Sequence, residues 1–241
     1  MTSKQPVRTA PVPPSPAAGE GPPRAHDAGV SRVGGHPVLD FANTVAWRLD
    51  PARAVARVRG AEAWTRWGVA VGLLTVEGAE ASSGAADSAP AETSADAPAE
   101  TAPTETAHAE TSATALQDLR AVLWPVLDAL VEGEEPPAAA WEALRRDLVR
   151  AREDADLLPG FPLRWRPRAD GLDGLRHTLA LRAEDLLGGD ELARVRRCEG
   201  PGCGWFFLDR SRGGTRRWCS SGDCGNRDRA RRHYARTRQR G

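Results

Sequence analysis

The sequence predicts a mainly α fold, in which a helical N-terminal domain is followed by a small cysteine-bound module, and three observations predict it. Apolar residues recur at helical spacings of three and four on both sides of a central low-complexity stretch. All four cysteines, Cys198, Cys203, Cys219 and Cys224, fall in the last 44 of 241 residues. Charge divides at the same place. The chain is neutral as a whole, yet from Leu192 onward fourteen Arg meet four acids, about +10, which leaves about −10 for the rest.

Residues 1–30 are rich in Pro, Ala and Gly and read as a disordered tail, because Val7, Val12 and Val30 are their only large aliphatics after Met1. Neither this start nor any later run has the continuous apolar length of a secretory signal or a membrane span, so the expectation is a soluble, cytoplasmic protein with no membrane partner. Residues 31–77 form the first part of the helical domain. Val38, Phe41, Val45 and Leu49 make one apolar helix face there, and Ala61 to Leu74 predict a second helix carrying Trp64 and Trp67. No Lys or Arg stands between Arg66 and Arg120, and residues 78–114 repeat Ala, Glu, Thr, Ser, Pro and Asp as an acidic low-complexity insertion. His108 within it reads as solvated.

The helical domain resumes over residues 115–191. Leu116, Leu119, Leu123, Leu127 and Leu130 form a stripe that Pro125 is expected to kink or split, and Trp141, Leu144 and Leu148 mark the next helix. Pro159, Gly160 and Pro162 then punctuate a loop with a short extended piece at Leu163 and Trp165. A further helix follows over Leu172 to Leu187, closed by Gly188 and Gly189, with Asp190 as cap of a short one.

Residues 192–241 carry the cysteines as C-x4-C, fifteen residues, C-x4-C. Two close pairs brought together by a hairpin suit one tetrahedral zinc ion, and four thiolates fill its coordination shell, which predicts a structural rather than catalytic site. Two disulfides, free thiols or an iron–sulfur cluster are the alternatives; the absence of an export signal counts against disulfides. Trp205 to Leu208 read as one strand, Asp209 to Gly214 as a turn, Thr215 to Cys219 as the return strand, and the second cysteine pair opens the last helix.

The segment RRCEGPGCGWFFLDRSRGGTRRWCSSGDCGNRDRARRHYAR closely resembles the CGNR zinc finger, whose tetrapeptide stands here as Cys224, Gly225, Asn226 and Arg227. The segment HPVLDFANTVAWR, with the Trp64 and Trp67 helix, is similar to the start of the ABATE domain that precedes this finger in bacterial proteins described as stress-induced transcription regulators. The acidic insertion is a departure from that family. The resemblance implies a treble-clef-like finger, with knuckle, β-hairpin and helix in order, and a DNA-binding regulator.

Helical spacing of the last segment puts Arg229, Arg232, Arg236 and Arg240 on one side and Arg227, Arg231 and Arg238 in a second strip. Arg210, Arg212, Arg216 and Arg217 extend the basic footprint, while Ala230, His233, Tyr234 and Thr237 form a seam that could pack on the hairpin aromatics. Such a surface predicts contacts with nucleic acid, DNA ahead of RNA on the strength of the resemblance, or an adaptor that binds a protein. The acidic insertion is a rival polyanion within the chain. Asn226 is expected to bond backbone at the helix start and Arg227 to pair with Asp209 or Asp223.

Asp40, Asn43, Thr44 and Arg48 lie at helical spacing and could line one side, either as an internal hydrogen-bond cluster or as a pocket for a small-molecule effector. No phosphate-binding glycine loop, nucleophile elbow or metal-hydrolase signature occurs, and His36 and His177 have no partner evident in the sequence, so the reading is non-enzymatic. Nothing in the sequence speaks to oligomeric state.

Overall fold

A computed structural model describes residues 30–75 and 101–239. Residues 1–29 of the expected disordered tail, residues 76–100, which take in the first part of the expected insertion, and Arg240 with Gly241 lie outside the described residues.

Helix α1 (Pro37–Ala42) starts with Pro37 in its first turn and the His36 ring accepting a hydrogen bond from the Val38 amide at 3.3 Å. The Val38, Phe41, Val45, Leu49 periodicity predicts a longer helix, but α1 stops after Ala42. Polar side chains end it. Thr44 Oγ1 donates to the Phe41 carbonyl at 2.7 Å, the Asn43 side chain leaves for the finger, and Trp47 adopts a left-handed φ of 57°. Val45 therefore lies in a two-residue strand, β1 (Val45–Ala46), paired antiparallel with β2 (Val55–Ala56), and Leu49 is exposed.

Helix α2 (Gly60–Val71) buries Trp64 and Trp67 against Phe41, with ring centroids 5.3 and 5.8 Å from the phenyl. It closes at Gly72, whose φ of 77° suits only glycine comfortably.

Helix α3 (Thr101–Glu132) is one continuous element that Pro125 does not split. It also begins well before residue 115, so residues 101–114, read as insertion, are helical. Tertiary contacts outweigh their low-complexity composition: Glu110 accepts the Ala61 amide at 3.0 Å, Ala113 is buried, and the His108 ring sits 3.0 Å from the Asp173 carboxylate. The His108 side chain itself stays 72% exposed, as its expected solvation requires.

Helix α4 (Ala138–Glu153) leads into a hairpin, β3 (Ala155–Leu158) and β4 (Arg164–Pro167); the extended piece expected around Trp165 is its second strand, and the first replaces part of the expected loop. Helix α5 (Gly171–Gly188) packs on α3 and α4 and passes through a 3-10 turn, Asp190–Arg194, into β5 (Val195–Arg197). Strand β5 pairs antiparallel with β6 (Phe206–Leu208), and helix α6 (Cys224–Arg238) ends the described chain. The main core joins Leu116, Leu123, Leu127, Leu175 and Leu179 to Phe41 and the two tryptophans, and it continues past residue 191 to Val195, Phe206 and Leu208. Among the described residues no helix is long and apolar enough to cross a membrane.

Candidate metal centre and basic helix

The local sequence builds the centre by alternation. Successive residues of β6 point to opposite sides, so Phe206 and Leu208 enter the helical core while Trp205 and Phe207 join the cysteines. The partner strand differs from the one expected. Strand β6 pairs with β5, upstream of Cys198, and not with Thr215 to Cys219, so the Cys198–Cys203 knuckle is the tip of the β5–β6 ribbon.

The return segment is shaped instead by side chains. Buried Asp209 accepts the Ser211 amide and hydroxyl at 2.9 and 2.6 Å and the Arg216 amide at 3.0 Å, and these bonds, led by that from Ser211, hold its carboxyl below the usual range. Arg216 then threads inward. Its guanidinium donates to the carbonyls of Trp218, Val33 and Cys219 at 3.0, 3.0 and 2.6 Å and lies 4.1 Å from the Phe207 ring centroid.

The knuckle is glycine-dependent at Gly200 and Gly204. A Cβ on Gly200 would stand 2.8 Å from Cys224 Sγ, and Gly204 has a φ of 69° with the Leu49 side chain 3.0 Å from where a Cβ would go.

All four cysteines are buried, and their sulfurs lie within 4.8 Å of one another. Cys203 and Cys219 sulfurs are 3.8 Å apart and those of Cys219 and Cys224 3.6 Å. A disulfide would need about 2.05 Å. A tetrahedron with zinc–sulfur bonds of about 2.3 Å has edges of about 3.8 Å, which these separations match. Hydrogen bonds from Cys203 and Cys219 draw the Cys198 thiol below its ordinary value, whereas Cys203 and Cys219 are pushed up, first by their bonds with Cys198. Four ionised sulfurs fit this volume only around a cation, and the closed four-thiolate set suits a structural ion.

Donors surround the sulfurs. Cys198 Sγ accepts the amides of Gly200 and Cys219 at 3.4 and 3.3 Å, and Cys224 Sγ accepts from Arg227 Nη2 at 2.9 Å. Arg227 also pairs with Asp223 at 3.0 Å and lies 4.4 Å from the Trp47 ring centroid, whose other neighbour is Arg53 at 3.5 Å. Asn226 Nδ2 donates to the Gly222 carbonyl at 2.7 Å, the backbone role expected of it.

The nine arginines proposed for nucleic acid therefore separate. Arg216 and Arg227 are committed to the finger's interior bonding. Arg217 pairs with Glu199, Arg229 bonds the Ser221 carbonyl and Asn226, and Arg231 and Arg232 hold Asp228 at 2.7 and 2.5 Å. Arg236 and Arg238 are exposed and without a carboxylate partner among the described residues, and Arg240 lies beyond them. The expected packing seam does not form: Ala230, His233, Tyr234 and Thr237 are all exposed, Tyr234 by 68%. Phe206 packs into the helical core and Phe207 lies among the cysteines under Arg216, so neither aromatic of β6 is left for α6.

The residues read as an effector pocket serve as the weld between finger and helical domain. Asn43 Nδ2 donates to the Phe206 carbonyl and Asn43 Oδ1 accepts the Phe206 amide, both at 2.8 Å. Asp40 accepts the Gly34 amide at 2.8 Å, and the Gly34 carbonyl accepts the Leu208 amide at 2.8 Å. Thr44 Oγ1 accepts from buried Arg120 at 2.7 Å, and the Arg48 amide donates to the Cys203 carbonyl at 3.1 Å. Burial dominates over the Gly34 bond and pushes the Asp40 carboxyl up to about 7.

Sequence reasoning missed Trp124, Trp47 and Arg120 as parts of this weld. Trp124 Nε1 donates to the Gly204 carbonyl at 3.0 Å, and Trp205 Nε1 to the Val45 carbonyl at 2.7 Å. The only signal was an aromatic in a leucine stripe at Trp124, which periodicity assigns to packing alone.

No curated protein matches the chain. The family model of the CGNR zinc finger matches residues 194–237, a span that starts one residue before β5 and ends within α6, and the four cysteines inside it form a zinc site.

Proposed function

We propose that the protein is a DNA-binding transcription regulator whose zinc ion is structural and whose helix α6 contacts the nucleic acid. The observation that carries this reading is the outer part of α6. From Arg229 to Gln239 every residue is exposed, the segment carries Arg229, Arg231, Arg232, Arg236 and Arg238 and no acid, and it projects from an anchored base. Self-repulsion among these cations is relieved by a polyanion, and counterion release from duplex phosphates supplies the driving force.

The order of knuckle, strand and zinc-anchored helix is compatible with a treble-clef-like finger. Residues 36–48 and the Trp64 and Trp67 helix support an ABATE-like identity for the helical domain. The same reading makes the protein non-enzymatic, since its conspicuous polar residues serve in packing: His36 caps α1, and His177 stands 3.1 Å from the Asp154 carboxylate.

Fluorescence anisotropy of zinc-loaded protein with labelled duplex DNA tests the reading. Binding that weakens steeply with salt is expected, and Arg236→Gln with Arg238→Gln lowers the slope of log K against log salt by about 1.8. No binding to duplex at low salt overturns it; tighter binding to single-stranded RNA than to duplex redirects it to RNA.

A further inference from the structure

A groove of about 570 Å³ runs between the β3–β4 hairpin and helix α5, on a part of the molecule that neither the zinc site nor the basic helix uses. Its volume falls in the range of small-molecule sites, about 300–1,000 Å³. Its lining is of two kinds. Leu158, Leu163, Trp165 and Leu181 give it an apolar wall, in which Leu163 and Trp165 stay 60% and 37% exposed.

Four arginines, Arg152, Arg164, Arg166 and Arg182, face the same space, against Asp185 as the one acid of the lining. Two of the four are already engaged. Arg152 makes a two-pronged bond to Glu184 at 2.7 and 2.7 Å and stands 4.4 Å from the Trp165 ring centroid, and Arg166 lies 3.8 Å from Asp156, its cross-strand partner. Arg164, on the hairpin, and Arg182, on α5, have no carboxylate partner among the described residues.

We infer that this groove binds a small aromatic carboxylate, its ring on Trp165 and the leucines and its carboxylate between Arg164 and Arg182. Guanidinium forks match a carboxylate in two-pronged geometry, and the indole face offers an aromatic ring a stacking surface that water does not replace. Two exposed cations from two separate elements give an anion a pair of partners, and the apolar wall beside them gives a hydrophobic body a surface, so a ligand that uses both is an anion that carries such a body. Inorganic anions use only the first and neutral aromatics only the second.

Isothermal titration calorimetry of the zinc-loaded full chain with 2-naphthoate, and with neutral 2-naphthamide as its isostere, tests the site. One naphthoate per chain is expected, bound at least tenfold more tightly than the amide. Arg164→Gln with Arg182→Gln weakens naphthoate at least tenfold and leaves the amide unchanged; Trp165→Leu weakens both. Arg236→Gln with Arg238→Gln leaves naphthoate affinity unchanged, which separates this site from general attraction by the basic helix and makes its fate independent of DNA binding. Circular dichroism and zinc content of each variant verify that it is folded. Equal affinity for naphthoate and naphthamide, no binding of naphthoate at millimolar concentration, or undiminished affinity in the folded double arginine variant overturns the inference.

Discussion

The two ends of the finger, residues 195–228 and residues 229–239, share an arginine-rich composition and differ in almost everything else. In the inner part, two arginines are structural: Arg216 ties separate backbone segments and Arg227 reaches a zinc-ligating sulfur. Asp228 is the last buried residue among those described, and residues 229–239 beyond it are all exposed. Fixed partners make a cation part of the fold, while exposed cations without partners are available to an external anion. Composition therefore says less about an arginine's role than the partners it meets: Arg229, Arg231 and Arg232 still bond residues of the inner part, whereas Arg236 and Arg238 have no carboxylate partner among the described residues.

The sharpest break in the comparison is Cys203→Ser. Loss of one thiolate opens the zinc site, and metal binding in such modules is worth on the order of 10 kcal/mol of folding free energy. Because Val195, Phe206 and Leu208 belong to the main core, thermal unfolding of this variant is expected to lose the helical domain's cooperative transition along with the zinc. Elemental analysis should fall from about one zinc per chain to well below it.

Asn43→Ala acts on the weld without touching the metal. It removes both hydrogen bonds to Phe206 and leaves that buried backbone unsatisfied, a cost of about 3 kcal/mol in denaturant unfolding with zinc retained.

Asp40→Asn sharpens the account through pH. The folded carboxyl titrates at about 7 and the unfolded one near 3.9, so between these values the folded protein holds a proton that the unfolded chain has lost. Stability from this group is full below about pH 4 and declines as pH rises to about 7. The asparagine variant has no such decline, so its stability relative to the wild type should rise by about 2 kcal/mol from pH 5.5 to 8, measured on zinc-loaded protein.

The smallest effects are also the most discriminating. Arg227→Ala is expected to weaken zinc about tenfold in a chelator competition, as loss of an outer-shell partner does. Arg236→Gln with Arg238→Gln should change stability by less than about 0.5 kcal/mol, because both are exposed and neither has a carboxylate partner among the described residues.

Much of this arrangement was legible in the sequence. The cysteine spacing identified the metal ligands, and strong periodicity identified α2, α4 and α5, where one apolar face meets a single core. Reading failed where a polar side chain acts at long range. Val45 and Leu49 fit a helical face, yet Asn43 and Thr44 end α1 by bonding Phe206 and Phe41. Thr215 to Cys219 looked like the return strand, but the partner of β6 came from upstream and Asp209 with Arg216 took up the segment. Residues 101–114 looked like linker because their helix depends on Ala61 and Asp173, which are remote in sequence.

Hydrogen–deuterium exchange of the zinc-loaded chain, with and without duplex DNA, tests the contrast between the two ends most directly. Amides of residues 195–228 should be protected in both states, whereas those of 229–239 should exchange fast alone and slow when duplex is bound. Protection of 229–239 in the free protein, or a DNA-induced change confined to residues outside that segment, would contradict the account.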